Sequence, residues 1–271
     1  KDKFAAKTYK LNFGEDPIGD IKDVDLSKIS DHDVLLAGFP CQPFSRAGKM
    51  MGMKDPRGNL FYSIRDILDK KKPYCFLLEN VRGLLSNDGG NTFRVILKEL
   101  NSLKYYTNYK VLNSKDFGLP QNRSRVYIVG FRDLNNFEFP VSQEKSIKVG
   151  DILERNINDK YTISNKLWES HQRRKKKNLE ISRGFGYGLV DEFSNHTRTL
   201  SARYYKDGSE ILIKQVGKNP RKLTPREALN LQGFPKNFKM EVSDNQAYKQ
   251  IGNSVSVPVI REIAEKILLY L

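Results

Sequence analysis

Short apolar runs alternate with amphipathic stretches through the first half of the chain, and no other feature restricts its possible folds as strongly. Continuous apolar runs bounded by turn residues predict strands, and apolar residues at positions i, i+4, i+7 and i+8 predict helices. Strands are predicted at residues 34–37, 74–78, 109–113 and 125–130, and helices at 57–72 and 92–103. This order is typical of an α/β protein with a doubly wound sheet.

The pattern changes beyond residue 131. Short β-like runs and turn signals such as Lys206-Asp207-Gly208 predict a smaller, irregular, β-rich domain. Thr224, Pro225 and Glu227 then occupy the N-cap, N1 and N3 positions of a predicted helix that Gly233 ends. We divide the chain into a main domain (1–150), a second domain (151–222), a hinge (223–249) and a C-terminal segment (250–271) whose helix returns to the main domain.

A cysteine follows the first predicted strand. The apolar run stops at Gly38 and Pro40, and the loop beyond them presents Cys41. Open α/β sheets bind ligands above the carboxyl ends of their strands, which makes Cys41 a candidate nucleophile. The loop alone is equally compatible with a small buried hydrophobe, the common fate of a free cysteine. The second predicted strand delivers Glu79 and Asn80 to the same edge.

The net charge of +15 predicts a polyanionic partner or an acidic membrane surface. The excess is concentrated between residues 160 and 222, where 15 Lys and Arg stand against 6 Asp and Glu. A run such as residues 173–177 is by itself typical of a solvated face. Because Tyr161, Trp168 and Tyr187 are interleaved with the basic residues, we expect contact with nucleic acid.

Several classes of protein are disfavoured by composition. The two cysteines, Cys41 and Cys75, form no disulfide framework, so a reducing cytoplasm is the default expectation. His32, His171 and His196 lack metal-ligand spacing, and we expect no metal. No apolar run approaches the roughly 18 residues needed to span a bilayer.

Six motifs stand in one order along the chain. They are Gly19-Asp20-Ile21, the FPCQPFS stretch around Cys41, Glu79-Asn80-Val81, QNRSR at 121–125, RKLTPRE at 221–227 and QIGNSV at 250–255. Together they closely resemble the cytosine-C5 DNA methyltransferases, in particular the single-chain bacterial enzymes of restriction-modification systems. The resemblance covers essentially the whole chain. It implies a Rossmann-like methyltransferase sheet, S-adenosyl-L-methionine as cofactor, duplex DNA as substrate, a bacterial cytoplasmic location and a target recognition domain at 151–222.

The resemblance also implies catalytic roles. Cys41 would add to carbon 6 of cytosine, because a thiolate is a strong nucleophile and a workable leaving group. Glu79 would hold a proton near ring nitrogen N3 and Arg125 would hold O2, with Arg123 on the cytosine or on the loop. Otherwise Glu79 is a helix-capping acid and the arginines bind phosphate. Asn80 would brace the Cys41 loop, or simply form a turn.

On the cofactor side the resemblance implies Asp20 and Pro40 beside the adenine, Leu60 nearby, and Asn253 with Val255. The family's glycine-rich loop and its ribose-binding acid do not occur upstream of Asp20. We therefore expect the sequence to be an excerpt of a longer polypeptide, or one half of an enzyme completed by a separate N-terminal chain.

A cytosine inside a duplex must be flipped out to react. In the family, a catalytic loop fills the vacated space, and here that loop would be residues 45–54, with Ser45 near DNA. Thr199 lies in a segment resembling the family's Thr-Leu element, which contacts the target nucleotide's backbone. Arg183, Arg198 and Arg203 would read bases, since arginine to guanine is the commonest specific contact, or bind phosphate.

Two alternatives stay open from sequence. One branch of the family methylates transfer RNA, although the long basic region favours DNA. A DNA-binding subunit without catalysis would explain the incomplete cofactor site, but it has no need for Cys41, Glu79 and Arg125 together.

Overall fold

A computed structural model describes residues 1–17, 19–40, 59–142, 147–182 and 184–271, with only the backbone at residue 59. The helices and strands, in chain order, are α1 (Lys3–Phe13), β1 (Val34–Gly38), α2 (Asn59–Lys71), β2 (Cys75–Val81), α3 (Asn91–Ser102), β3 (Tyr106–Asn113), β4 (Ser124–Phe131), α4 (Asn165–Glu180), β5 (Leu189–Val190), β6 (Leu212–Ile213), α5 (Pro225–Gln232), α6 (Asp244–Asn253) and α7 (Val257–Leu268).

Four strands form the main sheet in the order β1-β2-β4-β3. β1 and β2 run parallel, with Gly38 opposite Glu79. β4 runs antiparallel to both neighbours and places Arg125 opposite Val81. The carboxyl ends of β1 and β2 therefore meet the beginning of β4 at one edge, and three of the six sequence motifs arrive there.

Helices cover both faces of this sheet. Side chains alternate along a strand, so Phe76 and Leu78 pack with α2 and α3, whereas Cys75 and Leu77 pack with α7. The α/β sheet predicted from the alternation of runs is confirmed, with the difference that β4 runs antiparallel to its two neighbours, β2 and β3. The Phe76 ring occupies the space that a Cβ at Gly130 would need, 2.3 Å from that position, which explains a glycine inside β4.

A separate hydrophobic cluster lies in the later part of the chain. It joins Val149 and Ile152 to side chains from residues 200–213 and to the buried faces of α5 and α6. Its centre is made of Tyr204 and Tyr248, whose rings meet edge to face with centroids 5.1 Å apart.

The start of α5 is fixed by an almost fully buried ion pair. Thr224 caps the helix, Gly233 ends it in a left-handed conformation, and the predicted capping box is present. Both oxygens of Glu227 also accept hydrogen bonds from the Arg221 guanidinium, at 2.7 and 2.8 Å. The RKLTPRE motif thus forms the start of α5, where the bidentate ion pair with Arg221 offsets the free-energy cost of burying the Glu227 carboxylate.

The expectation of a β-rich second domain is wrong for the part of residues 151–222 that the structure describes. This region contains the 16-residue helix α4 and two strands of two residues each. α4 carries the basic run 173–177 on its exposed surface and buries only His171. A helix that is polar almost all round has no apolar periodicity, and this is why the sequence pattern missed it.

Candidate active site

Glu79 and Arg125 form an ion pair where β2 ends and β4 begins. Arg125 Nε lies 3.0 Å from Glu79 Oε1, and the two side chains are 13% and 18% exposed. The β2–β4 register puts Arg125 two residues from the position opposite Glu79, so both side chains emerge on the same face of the sheet. In this arrangement a protonated carboxyl can donate a hydrogen bond to a ring nitrogen, while the guanidinium donates to an adjacent carbonyl oxygen of the same ring.

Burial raises the pKa of the Glu79 carboxyl, and the positive charges of Arg125 and Arg123 oppose that rise only in part. Tyr127, directly opposite Glu79, is itself buried, and burial raises the pKa of its phenol. The site therefore favours a neutral, proton-carrying Glu79 more than an exposed glutamate would.

A pocket of about 540 Å³ opens beside this pair. It is lined by Gly38, Phe39, Pro40, Glu79, Asn80, Val81, Arg123, Arg125, Gly252, Asn253, Ser254 and Val255. Asn80 Nδ2 donates to the Phe39 carbonyl at 2.9 Å, just ahead of Pro40 and the loop that Asn80 is expected to brace. Cys41 follows Pro40 directly in the chain but lies outside the described residues, as does Ser45.

A second pocket of about 250 Å³ shares Gly38, Glu79 and Val255 with the first. Its remaining lining is apolar: Leu36, Ala37, Leu77 and Ile260. The polar groups Glu79, Arg123 and Arg125 thus line the larger pocket, and a mainly apolar pocket lies directly beside it. Pro40, Asn253 and Val255, which the family resemblance implies as cofactor contacts, all line the larger pocket.

Two other predicted cofactor residues lie outside the linings of these two pockets. Asp20 forms an ion pair with the Lys1 ammonium at 2.7 Å and also accepts from the backbone N–H of Lys22. Leu60 stands in the first turn of α2 and is half-buried. Among the expected cofactor residues, the described part of the chain thus brings Pro40, Asn253 and Val255 together around one pocket.

Arg123, expected on the cytosine or on the catalytic loop, has its described partners in other parts of the chain. It is 2% exposed, and its terminal nitrogens donate to three backbone carbonyls, those of Leu200 (2.9 Å), Ser254 (2.7 Å) and Gly252 (3.3 Å). Burial and the neighbouring Arg125 charge lower the pKa of Arg123 to about 10. Most of its donors are used to hold the protein's own backbone.

Gln121 is a site-supporting residue to which sequence reasoning gave no role. It is fully buried, its amide donates to the Leu231 carbonyl and to Gln232 Oε1, and its own Oε1 accepts from the Leu200 N–H. Its place at the head of the QNRSR motif was the only signal available, because a glutamine in a loop has no characteristic pattern.

Three of the predicted DNA contacts, Arg198, Thr199 and Arg203, lie on one described stretch that meets the QNRSR loop. Thr199 is half-buried and donates through Oγ1 to the Asn122 carbonyl at 2.7 Å. Arg198 and Arg203 are exposed, and the Arg198 guanidinium lies 4.0 Å from the centre of the Phe185 ring. Stacking of this kind holds an arginine in place while its N–H groups stay available. Arg183 lies outside the described residues.

The other cysteine is not part of the site. Cys75 is fully buried in β2, and burial raises the pKa of its thiol to about 12. In the described ranges no group of three or more His, Cys, Asp or Glu side chains is arranged to hold a metal ion. No helix there is both long and apolar enough to cross a bilayer.

Comparison with known proteins places this geometry in a family. The profile of the family described as C-5 cytosine-specific DNA methylase matches residues 1–269. Type II methyltransferase M1.ScrFI from Lactococcus lactis subsp. cremoris is 56% identical over 272 residues, covering 98% of this chain and 70% of that protein. Type II methyltransferase M.SsoII from Shigella sonnei is also 56% identical, and the match covers 98% of this chain and 72% of M.SsoII.

Solved structures agree. The Entamoeba histolytica methyltransferase EhMeth matches with a TM-score of 0.81 and 25% identity over 98% of this chain and 87% of that one. The S. pombe Dnmt2 methyltransferase has a TM-score of 0.79 at 21% identity, which supports the fold alone, over 98% of this chain and 88% of that one. With the profile matched along nearly its whole length, the chain belongs to the C-5 cytosine-specific DNA methylase family.

Proposed function

We propose that this DNA cytosine-C5 methyltransferase, which uses S-adenosylmethionine, modifies a short duplex sequence as part of a restriction-modification system, with Cys41, Glu79 and Arg125 as its catalytic residues. The observation that supports these roles best is the ion pair of Glu79 and Arg125 at the wall of a pocket whose rim is Pro40, the residue before Cys41. The names of the similar Type II methyltransferases support the biological setting.

The proposed chemistry begins with addition of the Cys41 thiolate to carbon 6 of the cytosine ring. The displaced electron pair moves onto N3 and O2, where the Glu79 proton and the Arg125 guanidinium stabilise it. Carbon 5 then has the electron density of an enamine. Bound S-adenosylmethionine supplies the methyl group. Loss of the carbon 5 proton to a base finally expels the thiolate and restores the aromatic ring.

We assign target recognition to residues 151–222. The exposed basic surface of α4 suits the phosphate backbone, which attracts lysine and arginine without regard to sequence. Arg198, stacked on Phe185, and Arg203 are proposed base readers, together with Arg183. Thr199 would contact the backbone of the flipped nucleotide, and Ser45 would approach the DNA from the catalytic loop.

A test of the reaction uses duplexes that contain 5-fluorocytosine. Fluorine at carbon 5 cannot leave as a proton does, so the enzyme should stay covalently attached after methyl transfer. We expect an adduct on Cys41 when S-adenosylmethionine and a library of duplex sequences are supplied, detected by gel shift and mass spectrometry. The trapped duplexes identify the target sequence. Adducts on transfer RNA in a competition assay, and none on duplex DNA, would instead favour the RNA substrate.

We further propose that β1 pairs with an additional parallel strand from an N-terminal segment that carries the glycine-rich cofactor loop, in the same or a separate chain. In the described part of the chain β1 pairs only with β2, and Leu36 in its middle is 61% exposed. An apolar strand with an open edge is unfavourable in water and is normally covered.

Calorimetry tests this second proposal. Titration of S-adenosylmethionine into residues 1–271 alone should show no micromolar binding. A chimera that adds a segment with the family's first strand and glycine-rich loop before Lys1 should bind it. Micromolar binding and turnover by residues 1–271 alone would rule out the need for such a segment.

A further inference from the structure

The QNRSR motif contacts more than the catalytic pair. Its first residues hold a stretch that we call the recognition segment, residues 197–200. Asn122 donates its backbone N–H to the Thr197 carbonyl at 2.9 Å and accepts the Thr199 hydroxyl at 2.7 Å, and Gln121 Oε1 accepts from the Leu200 N–H at 2.9 Å. One short loop therefore ties the segment proposed to bind the target nucleotide to the strand that carries Arg125.

Arg123 lies at the centre of this arrangement. Its Nη1 donates to Leu200 in the recognition segment, and its Nη2 donates to Ser254 and Gly252 in the turn that lines the pocket. Only its Nε, itself buried, lacks a hydrogen-bond partner. A planar guanidinium can bridge three carbonyls from two segments, whereas a lysine ammonium is a point charge on a flexible stem.

The two segments that Arg123 joins are in direct backbone contact. A Cβ at Gly252 would lie 2.3 Å from the carbonyl carbon and oxygen of Ser201, the residue directly after the recognition segment, closer than any side chain permits. This close packing, together with Arg123, therefore fixes the distance between the end of α6 and the recognition segment.

We infer that Arg123 is a positioning residue, which sets the recognition segment and the Gly252–Ser254 turn at a fixed distance from Glu79 and Arg125. This inference rests on the proposed function. A flipped nucleotide would be held by its backbone at Thr199 and by its base at the catalytic pair. An error of about 1 Å between two such contacts can lower a rate by about 10²-fold.

Double-mutant cycles distinguish this role from direct contact with the base. We expect Arg123→Lys to lower kcat by about 10- to 100-fold, with KM for duplex DNA changed less than about threefold. Thr199→Val removes the hydroxyl that joins the segment to Asn122. If Arg123 acts through the recognition segment, adding Thr199→Val to Arg123→Lys should lower kcat by no more than about threefold further.

Other outcomes would overturn the inference. Multiplicative losses in that cycle, or coupling of Arg123→Lys to Arg125→Lys but not to Thr199→Val, would assign Arg123 to the base. Unchanged kcat in Arg123→Lys would also refute it. A wild-type enzyme that forms no adduct with 5-fluorocytosine duplexes would contradict the proposed function itself, so the two failures are distinguishable.

Controls separate positioning from loss of folding. Arg226 also donates to two backbone carbonyls, those of Pro235 and Phe238, and Arg226→Lys is the matched exchange away from the pocket, expected to change kcat and KM less than about twofold. Arg123→Gln keeps one amide donor and leaves no buried cation, and serves if Arg123→Lys does not fold. Thermal melting of each variant verifies the folded fraction.

Discussion

Replacing Cys41 with serine should abolish methyl transfer, with kcat reduced by at least about 10³-fold. A serine hydroxyl is hardly ionised near neutral pH, and it is a much weaker nucleophile than a thiolate unless a base activates it. The measurements are methyl incorporation from labelled S-adenosylmethionine and adduct formation with 5-fluorocytosine duplexes. Binding of duplex DNA, measured by fluorescence anisotropy, should stay within about threefold of wild type, because the exchange removes no charged contact.

Cys75→Ala is the matched control, since Cys41 and Cys75 are the two cysteines of the chain. The Cys75 thiol is buried and its raised pKa keeps it protonated, so its removal should leave kcat unchanged and lower the free energy of unfolding by about 1 kcal/mol. An adduct that persists in Cys41→Ser and disappears in Cys75→Ala would reverse the assignment.

Removing the positive partner of Glu79 should have the second large effect. Arg125→Met leaves a mostly buried carboxyl without its ion-pair partner, which typically costs about 3–5 kcal/mol of unfolding free energy. We also expect kcat to fall by about 10²- to 10⁴-fold, because neither the O2 contact nor the arrangement of the acid survives. Urea unfolding and single-turnover methylation measure the two effects separately.

The pH dependence of this loss has a definite sign. The pKa of Glu79 is raised from its ordinary value of 4.5, so the folded state holds the proton more tightly than the unfolded state. The stability that comes from proton binding is full below the ordinary pKa and is lost as pH rises through the raised one. Without Arg125 that pKa rises further, so the deficit of Arg125→Met should be larger at pH 8 than at pH 5.

Glu79→Gln provides the complementary variant. It is neutral at every pH, so the decline of activity caused by ionisation of Glu79 should disappear from its pH profile. The double variant Glu79→Gln/Arg125→Met should recover most of the unfolding free energy but none of the activity. A stability loss in Arg125→Met that is larger at pH 5 than at pH 8 would contradict stabilisation of the ionised Glu79 by Arg125.

The position of several site residues could be predicted from the sequence because they lie next to strong local signals. Glu79 follows a continuous apolar run, and Pro40 ends another, so both were expected at one sheet edge and both line the same pocket. Asn80 was expected to brace the loop or to form a turn, and its hydrogen bond to the Phe39 carbonyl supports the first of these.

Arg123 and Arg125 show that a motif does not fix the direction in which its side chains point. They are two residues apart, which in a continuous strand would direct both side chains to one face. β4 begins at Ser124, however, so Arg123 precedes the strand and points to the carbonyls of Leu200, Gly252 and Ser254. Those partners come from parts of the chain 77 to 131 residues away, which no local pattern reports.

By itself, the sequence determined the α/β alternation, the order of the motifs and the family they resemble, because periodicity and short motifs are local properties of the chain. The tertiary structure decided the antiparallel position of β4, the helical character of α4 and the pairing of Glu79 with Arg125. It also gave the two arginines of one motif different partners: Arg125 pairs with Glu79, and Arg123 donates to backbone carbonyls that lie far away in the chain. These outcomes depend on contacts between segments far apart in the chain, and such contacts arise only when the chain packs.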